Sequence, residues 1–202
     1  MVMAYAGGHV SGAHYNPAVT LAVLLRGRIT LADAVPYWIA QLAAAVAAAF
    51  AATFVAGPAQ VQALSPSGRA IGAALFTFAL AYVVLNAATS KDHPGNSFYG
   101  LAIGFTVAAG AFAVGGVSGA VFNPAVAVGA ASMGLLDWSK IWLWLAADLV
   151  GGALAGAAFL ALNPDDRSRR KPLMIPPRES PQPPASDATS PPCPRTAPSM
   201  AT

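Results

Sequence analysis

Charge is scarce in this chain: only 9% of its 202 residues are Asp, Glu, Lys or Arg, where a soluble domain carries about a quarter. The shortage excludes an ordinary water-exposed surface. Cysteine is scarcer still. With Cys193 alone, neither a disulfide framework nor a cysteine metal cluster can form. Of the three histidines, His93 has no second ligand at helical spacing and His9 and His14 share one loop, so no metal or other cofactor is expected. Ser11 and Ser118 have no base or acid placed to activate them, and no Ser-His-Asp or catalytic paired-carboxylate arrangement is evident, which argues against an enzyme. The net charge of +3 is not laid out as a basic stripe interleaved with aromatics, so nucleic acid is not an expected partner.

What is abundant is apolar and small. Hydrophobic residues make up 56% of the chain and the mean hydropathy is +0.56. Ala, Gly and Val supply most of this, as in helices that approach closely where lipid removes the hydrophobic incentive to pack. Four stretches, Ala34 to Ala56, Ala70 to Ser90, Ser97 to Gly115 and Trp138 to Leu162, reach the roughly 20 residues that a helix needs to cross a bilayer. Breakers separate them, among them Arg26-Gly27-Arg28 and Lys91-Asp92-His93-Pro94-Gly95-Asn96. The expected architecture is an all-α, multi-pass helical bundle with the lipid bilayer as its partner. Trp138, Trp142 and Trp144 read as interfacial anchors at the start of the last span.

After Leu162 the composition turns to Pro, Ser, Arg and Thr, which cannot bury enough apolar surface to offset chain entropy. The chain therefore divides into a membrane domain, 1–162, and a Pro-rich tail, 163–202, expected to be disordered. The basic residues Arg26, Arg28, Lys91, Arg167, Arg169, Arg170 and Lys171 fall on one side of alternating spans, with Arg69 the exception. Cytoplasmic loops are enriched in Lys and Arg, so that side and the tail are expected to be cytoplasmic, in a plasma (inner) membrane.

The strongest internal signal is a duplication. Val10-Ser11-Gly12-Ala13-His14-Tyr15-Asn16-Pro17-Ala18-Val19 repeats as Val117-Ser118-Gly119-Ala120-Val121-Phe122-Asn123-Pro124-Ala125-Val126, differing at two positions. Asn before Pro starts a helix: the Asn side chain caps the first turn, and Pro fits the first helical position because its missing N–H would be an orphan there. Each helix then runs about ten residues before a break, or about 15 Å, half a membrane. Three spans lie between the two motifs. Three is odd, so the second half-helix enters from the opposite face and the two N-termini meet near the midplane. Non-helical backbone at that depth is tolerated where it lines a cavity. Each terminus carries about half an elementary charge, so the pair opposes a cation about 5 Å away by roughly 3 kcal/mol at an effective dielectric near 20. The Asn16 and Asn123 amides can donate to a passing water or hydroxyl oxygen. The bare reading is a passive pore for small neutral solutes, with an alternating-access transporter as the alternative, since inverted repeats with broken helices serve both.

Paired Asn-Pro-Ala half-helices preceded by Ser-Gly-Ala resemble the major intrinsic protein family of aquaporins and glycerol facilitators. The likeness covers Tyr5 to Leu162 and extends to Tyr37-Trp38-Ile39-Ala40-Gln41, which is similar to the family's third helix. It implies a homotetramer with one pore per subunit, lined at Asn16, Pro17, Ala18, Asn123, Pro124 and Ala125 and passing water, glycerol, urea or similar solutes. It also marks departures. The Arg usual after the second motif is Val126 here; Ala111 stands where water-selective members often have His, and Ala120 at another constriction position. Together they imply a wide, apolar selectivity filter. The Glu that often braces the pore loops is replaced by Ala73. Gln41 and Asp148 are the candidates for bracing the loops, and Asp148, as an intramembrane carboxylate, is also a candidate relay. Only 15 residues precede Asn16, against about 50 between Ala70 and Asn123. The resemblance thus implies that the first helix and most of the second are missing, and a non-conducting remnant is a third expectation.

Overall fold

The computed structural model describes residues 1–57 and 66–166. Of the tail expected at 163–202, residues 167–202, with the basic cluster and Cys193, lie outside the described residues. Among the described residues, seven α-helices run in order: α1 (Val2–Ser11), α2 (Pro17–Leu25), α3 (Leu31–Ala56), α4 (Pro66–Val84), α5 (Tyr99–Ser118), α6 (Pro124–Ser132) and α7 (Ile141–Leu162). Four segments of the described residues are long and apolar enough to span a bilayer, Leu31–Ala56, Gly68–Thr89, Tyr99–Ser118 and Trp138–Leu162. They match the expected spans apart from shifted ends. Thr30 caps α3, its Oγ1 accepting from Asp33 N at 3.2 Å, so that span starts before Ala34; Asp137 caps a single 3-10 turn, Trp138–Lys140, which opens the last span at its expected start ahead of α7. The end of α4 widens into a π turn, Leu85–Thr89. There the Asn86 amide donates to Tyr82 O at 2.8 Å and Asn96 to Ala87 O at 2.5 Å, satisfying carbonyls that the wider turn frees.

The duplication governs the whole bundle. Asn123 follows Asn16 by 123 − 16 = 107 residues, and the same offset carries the bounds of α2 onto those of α6. The connecting loops repeat as well: Gly12 and Gly119 have φ of 76° and 78°, and Ala13 and Ala120 follow at 50° and 55°. Left-handed backbone costs a non-glycine residue about 1–2 kcal/mol; adopting it twice at matching positions places each Asn in extended conformation, ready to cap.

α2 packs against α7 and α4, α6 against α3, and α4 lies between α5 and α7. One core joins Val19, Val23, Leu80, Leu85 and Phe159; a second joins Ala73, Val121, Leu136 and Trp144. α3 and α5 are only 11% buried within the chain, and their outward residues are apolar, Phe54 and Phe112 above all. Such faces would aggregate in water but suit lipid. Trp138 and Trp142 point outward, as interfacial anchors do, whereas Trp144 is 1% exposed. The expectation for Trp144 fails because, two residues past Trp142, it lies on the opposite, core-facing side of α7. The tail boundary also moves: 163–166 form a packed turn that ends in fully buried Asp166, held by an ion pair that composition alone does not reveal.

Candidate functional site

The site begins with two helix caps. Asn16 Oδ1 accepts from Ala18 N at 2.9 Å and Val19 N at 3.4 Å, and Asn123 Oδ1 accepts from Ala125 N at 2.9 Å. Pro17 and Pro124 fill the first helical positions, and both are buried with Ala18 and Ala125. Each Asn then spends one amide hydrogen on the other loop. Asn16 Nδ2 donates to Phe122 O at 2.9 Å, and Asn123 Nδ2 donates to Tyr15 O at 2.8 Å. The two half-helix N-termini are thereby locked head to head. The sequence pattern had offered both amides wholly to a passing solute. The lock leaves one N–H on each, and Asn123, half-buried, presents its own more openly than Asn16, which is 3% exposed.

Side chains of α3 and α7 hold the two loops from behind. On α3, the Tyr37 hydroxyl accepts from His14 N at 3.0 Å and donates to Ser11 Oγ at 3.2 Å, while Trp38 Nε1 donates to Pro17 O at 3.0 Å. Gln41 Nε2 donates to Thr20 Oγ1 at 3.0 Å, and that hydroxyl donates to Asn16 O at 3.0 Å. Gln41 therefore reaches the first motif through one hydroxyl. The 107-residue offset takes Tyr37 to Trp144 and Gln41 to Asp148. Trp144 Nε1 donates to Ser118 O at 2.9 Å. Asp148 is fully buried, accepts from Thr77 Oγ1 at 2.7 Å and faces the backbone N–H of Asn123. Ala73, which stands where the resembled family often has Glu, is buried one turn before Thr77, so the carboxylate beside the second loop comes from α7 instead of α4. The equal spacing of 25 residues from Asn16 to Gln41 and from Asn123 to Asp148 is a further sequence signal that pairs the two.

The three filter candidates stand in the second half. Ala111 is exposed on α5, Ala120 is half-buried in the left-handed loop, and Val126 is 48% exposed on the first turn of α6. None brings a charge or a side-chain donor. Among the described residues, no group of three metal-ligating side chains occurs.

At one end of the bundle the charged residues gather. Arg26, closing α2, pairs with Asp166 at 3.2 Å, Arg28 donates to Thr89 O at 2.8 Å, and Lys91 pairs with Asp165 at 3.3 Å.

Residues 1–159 match the model of the major intrinsic protein family. The chain is 41% identical over 163 residues to Aquaporin TIP1-1 of Arabidopsis thaliana, covering 76% of this chain and 63% of the relative. It is 40% identical over 163 residues to Aquaporin NIP1-3 of Oryza sativa subsp. japonica, covering 78% and 56%. To the Glycerol uptake facilitator protein-like 6 of Lactiplantibacillus plantarum it is 36% identical over 181 residues, covering 82% and 81%. The chain thus spans less than two thirds of the length of these plant relatives.

Proposed function

The chain belongs to the major intrinsic protein family, a family of channels, and from that premise we propose that it forms a passive transmembrane pore for water and small neutral solutes such as glycerol or urea. The observation that carries this reading is the head-to-head lock between Asn16 and Asn123. It holds two helix N-termini together at one point, where their positive ends oppose cations and the remaining amide hydrogens serve a neutral oxygen. Names borne by the relatives, aquaporin and glycerol uptake facilitator, support the same class of solute. A burial-locked Asp148 suits a brace of the second loop better than a moving relay, because Thr77 already holds one carboxyl oxygen.

The reading extends to a homotetramer in a plasma membrane, with the end carrying Arg26, Arg28 and Lys91, and the tail from 163 onward, on the cytoplasmic side. Reconstitution of the full chain into vesicles tests the core of it. Shrinkage in a hyperosmotic step, followed by light scattering, is expected to exceed that of empty vesicles for water, and swelling to exceed it for glycerol or urea. Permeability equal to empty vesicles for all three solutes refutes the channel.

Selectivity follows from what the filter candidates lack. With Ala111, Ala120 and Val126 the outer passage is wide and apolar, and Val126→Arg puts a bulky donor and a charge where the side chain is now half-exposed. Glycerol flux is expected to fall several-fold more than water flux in paired vesicle assays. An equal drop for both solutes would remove Val126 from the filter.

A further inference from the structure

Val126 leaves the outer half of the passage without a cation on α6, yet an arginine is buried in that same half. Arg69, near the start of α4, is 6% exposed. Its guanidinium carbon lies 5.3 Å from the ring centroid of Trp144, and its Nε has no hydrogen-bond partner among the described residues. Among those residues no carboxylate comes within ion-pair distance of it. Trp144 in turn donates to Ser118 O at 2.9 Å, and Ser118 Oγ accepts from Ala120 N at 3.2 Å. One chain of contacts therefore runs from Arg69 through an indole to the loop that carries Ala120 and ends at Asn123.

Both ends of that chain have a physical consequence. A guanidinium over an indole face is held by the ring quadrupole and restricts the ring in return, which fixes the donor that Trp144 offers to Ser118. Ala120, two residues on, sits at φ 55°, a conformation that persists only where its surroundings over-determine it. Among the described residues no carboxylate neutralises this charge. An unpaired unit charge on the order of 10 Å from a cation, at an effective dielectric near 20, lowers that cation's occupancy roughly tenfold. The first half offers a contrast: Tyr37, the counterpart of Trp144, meets Ser11 and the backbone of His14, and its ring lies 5.2 Å from that of His14.

We propose that Arg69 is a specificity-determining residue of the pore, a Trp144-stacked cation that positions the Ser118–Asn123 loop and supplies the outer-half barrier to cations that Val126 cannot. The proposal rests on the channel reading above. Its test uses the full chain and its Arg69→Met and Arg69→Lys variants in vesicles, with water permeability read by light scattering and proton and potassium leak read by an internal pH dye and a potential-sensitive dye. Arg69→Met is expected to raise the ratio of cation leak to water permeability about tenfold, and Arg69→Lys to keep it near that of the unsubstituted chain. A purely structural role would lower water flux and leave that ratio unchanged, which overturns the proposal. Should Arg69→Met fail to fold, a tenfold rise in the ratio for Arg69→Lys, which keeps the charge, overturns it equally. If the unsubstituted chain conducts no water, the channel reading falls and takes this proposal with it; if it conducts water and only the ratio stays fixed, this proposal alone falls.

Discussion

Asp166→Ala is expected to cost about 3–5 kcal/mol of stability, the penalty for removing one member of a buried ion pair. Both side chains of the Arg26–Asp166 pair are 0% exposed and lie 3.2 Å apart. The carboxylate also accepts from Ser90 Oγ at 3.0 Å and from Lys91 N at 3.4 Å, so a single side chain ties the end of α2, the α4–α5 turn and the turn after α7. Burial lowers the pKa of Arg26 and Asp166 pulls it back up. Without Asp166 the guanidinium keeps the Phe159 face, 4.9 Å away, and the carbonyl of residue 166 at 2.7 Å, but no counter-charge. Thermal or detergent-induced unfolding of the purified protein measures the loss. The double variant Arg26→Met with Asp166→Ala is expected to recover most of it, because an apolar pair of similar volume replaces a buried ion pair at little net cost. Equal stability of Asp166→Ala and the unsubstituted chain would dismiss the tie as an ornament of the bundle's end.

Much of this architecture was legible because the sequence states it twice. Pro at the first helical position and Asn before it located both half-helices to within a residue or two, and hydropathy located all four spans. What stayed hidden belongs to pairs of residues far apart in sequence. The reciprocal bonds of Asn16 to Phe122 O and Asn123 to Tyr15 O join positions more than 100 residues apart, and no local pattern distinguishes a donor aimed at a solute from one aimed at a carbonyl. Trp144 was misread for a related reason. Aromatic residues at a span's start are commonly interfacial, and only the helical phase relative to Trp142, combined with α5 ending at Ser118, turns this one into the core. Gln41 and Asp148 were legible as polar residues in apolar helices, a costly placement that marks them out; their partners, Thr20 and Thr77, were not. Asp166 was lost in a Pro-rich context, where composition outweighs one carboxylate whose partner lies 140 residues earlier.

The tight crossing of α7 over the start of α2 sets the second large effect. Gly152 on α7 stands where a Cβ would come 2.4 Å from Ala18 O and 3.0 Å from Ala18 C, and Ala18 is the last residue of the first Asn-Pro-Ala motif. Those are backbone atoms at a helix start and cannot rotate aside, so Gly152→Val must push α2 away from α7. Overpacking of this kind costs about 1–3 kcal/mol. The functional cost is expected to be larger in proportion, because the shift acts on the cap itself: Asn16 would move relative to Phe122, and a bond of 2.9 Å tolerates little of that before the head-to-head lock opens. Water permeability per folded protein is expected to drop at least tenfold, in line with the steep dependence of such sites on sub-ångström placement. Gly156, one turn on, supplies the control. A Cβ there meets Leu25 side-chain atoms at 3.1 Å and 3.3 Å and Ala22 O at 3.3 Å, contacts that a shift of a few tenths of an ångström relieves, so Gly156→Ala is expected to leave permeability within about twofold of the unsubstituted chain. If Gly152→Val folds and conducts as well as Gly156→Ala, the position of α2 does not control the pore, and the close packing of small residues at this crossing serves stability alone.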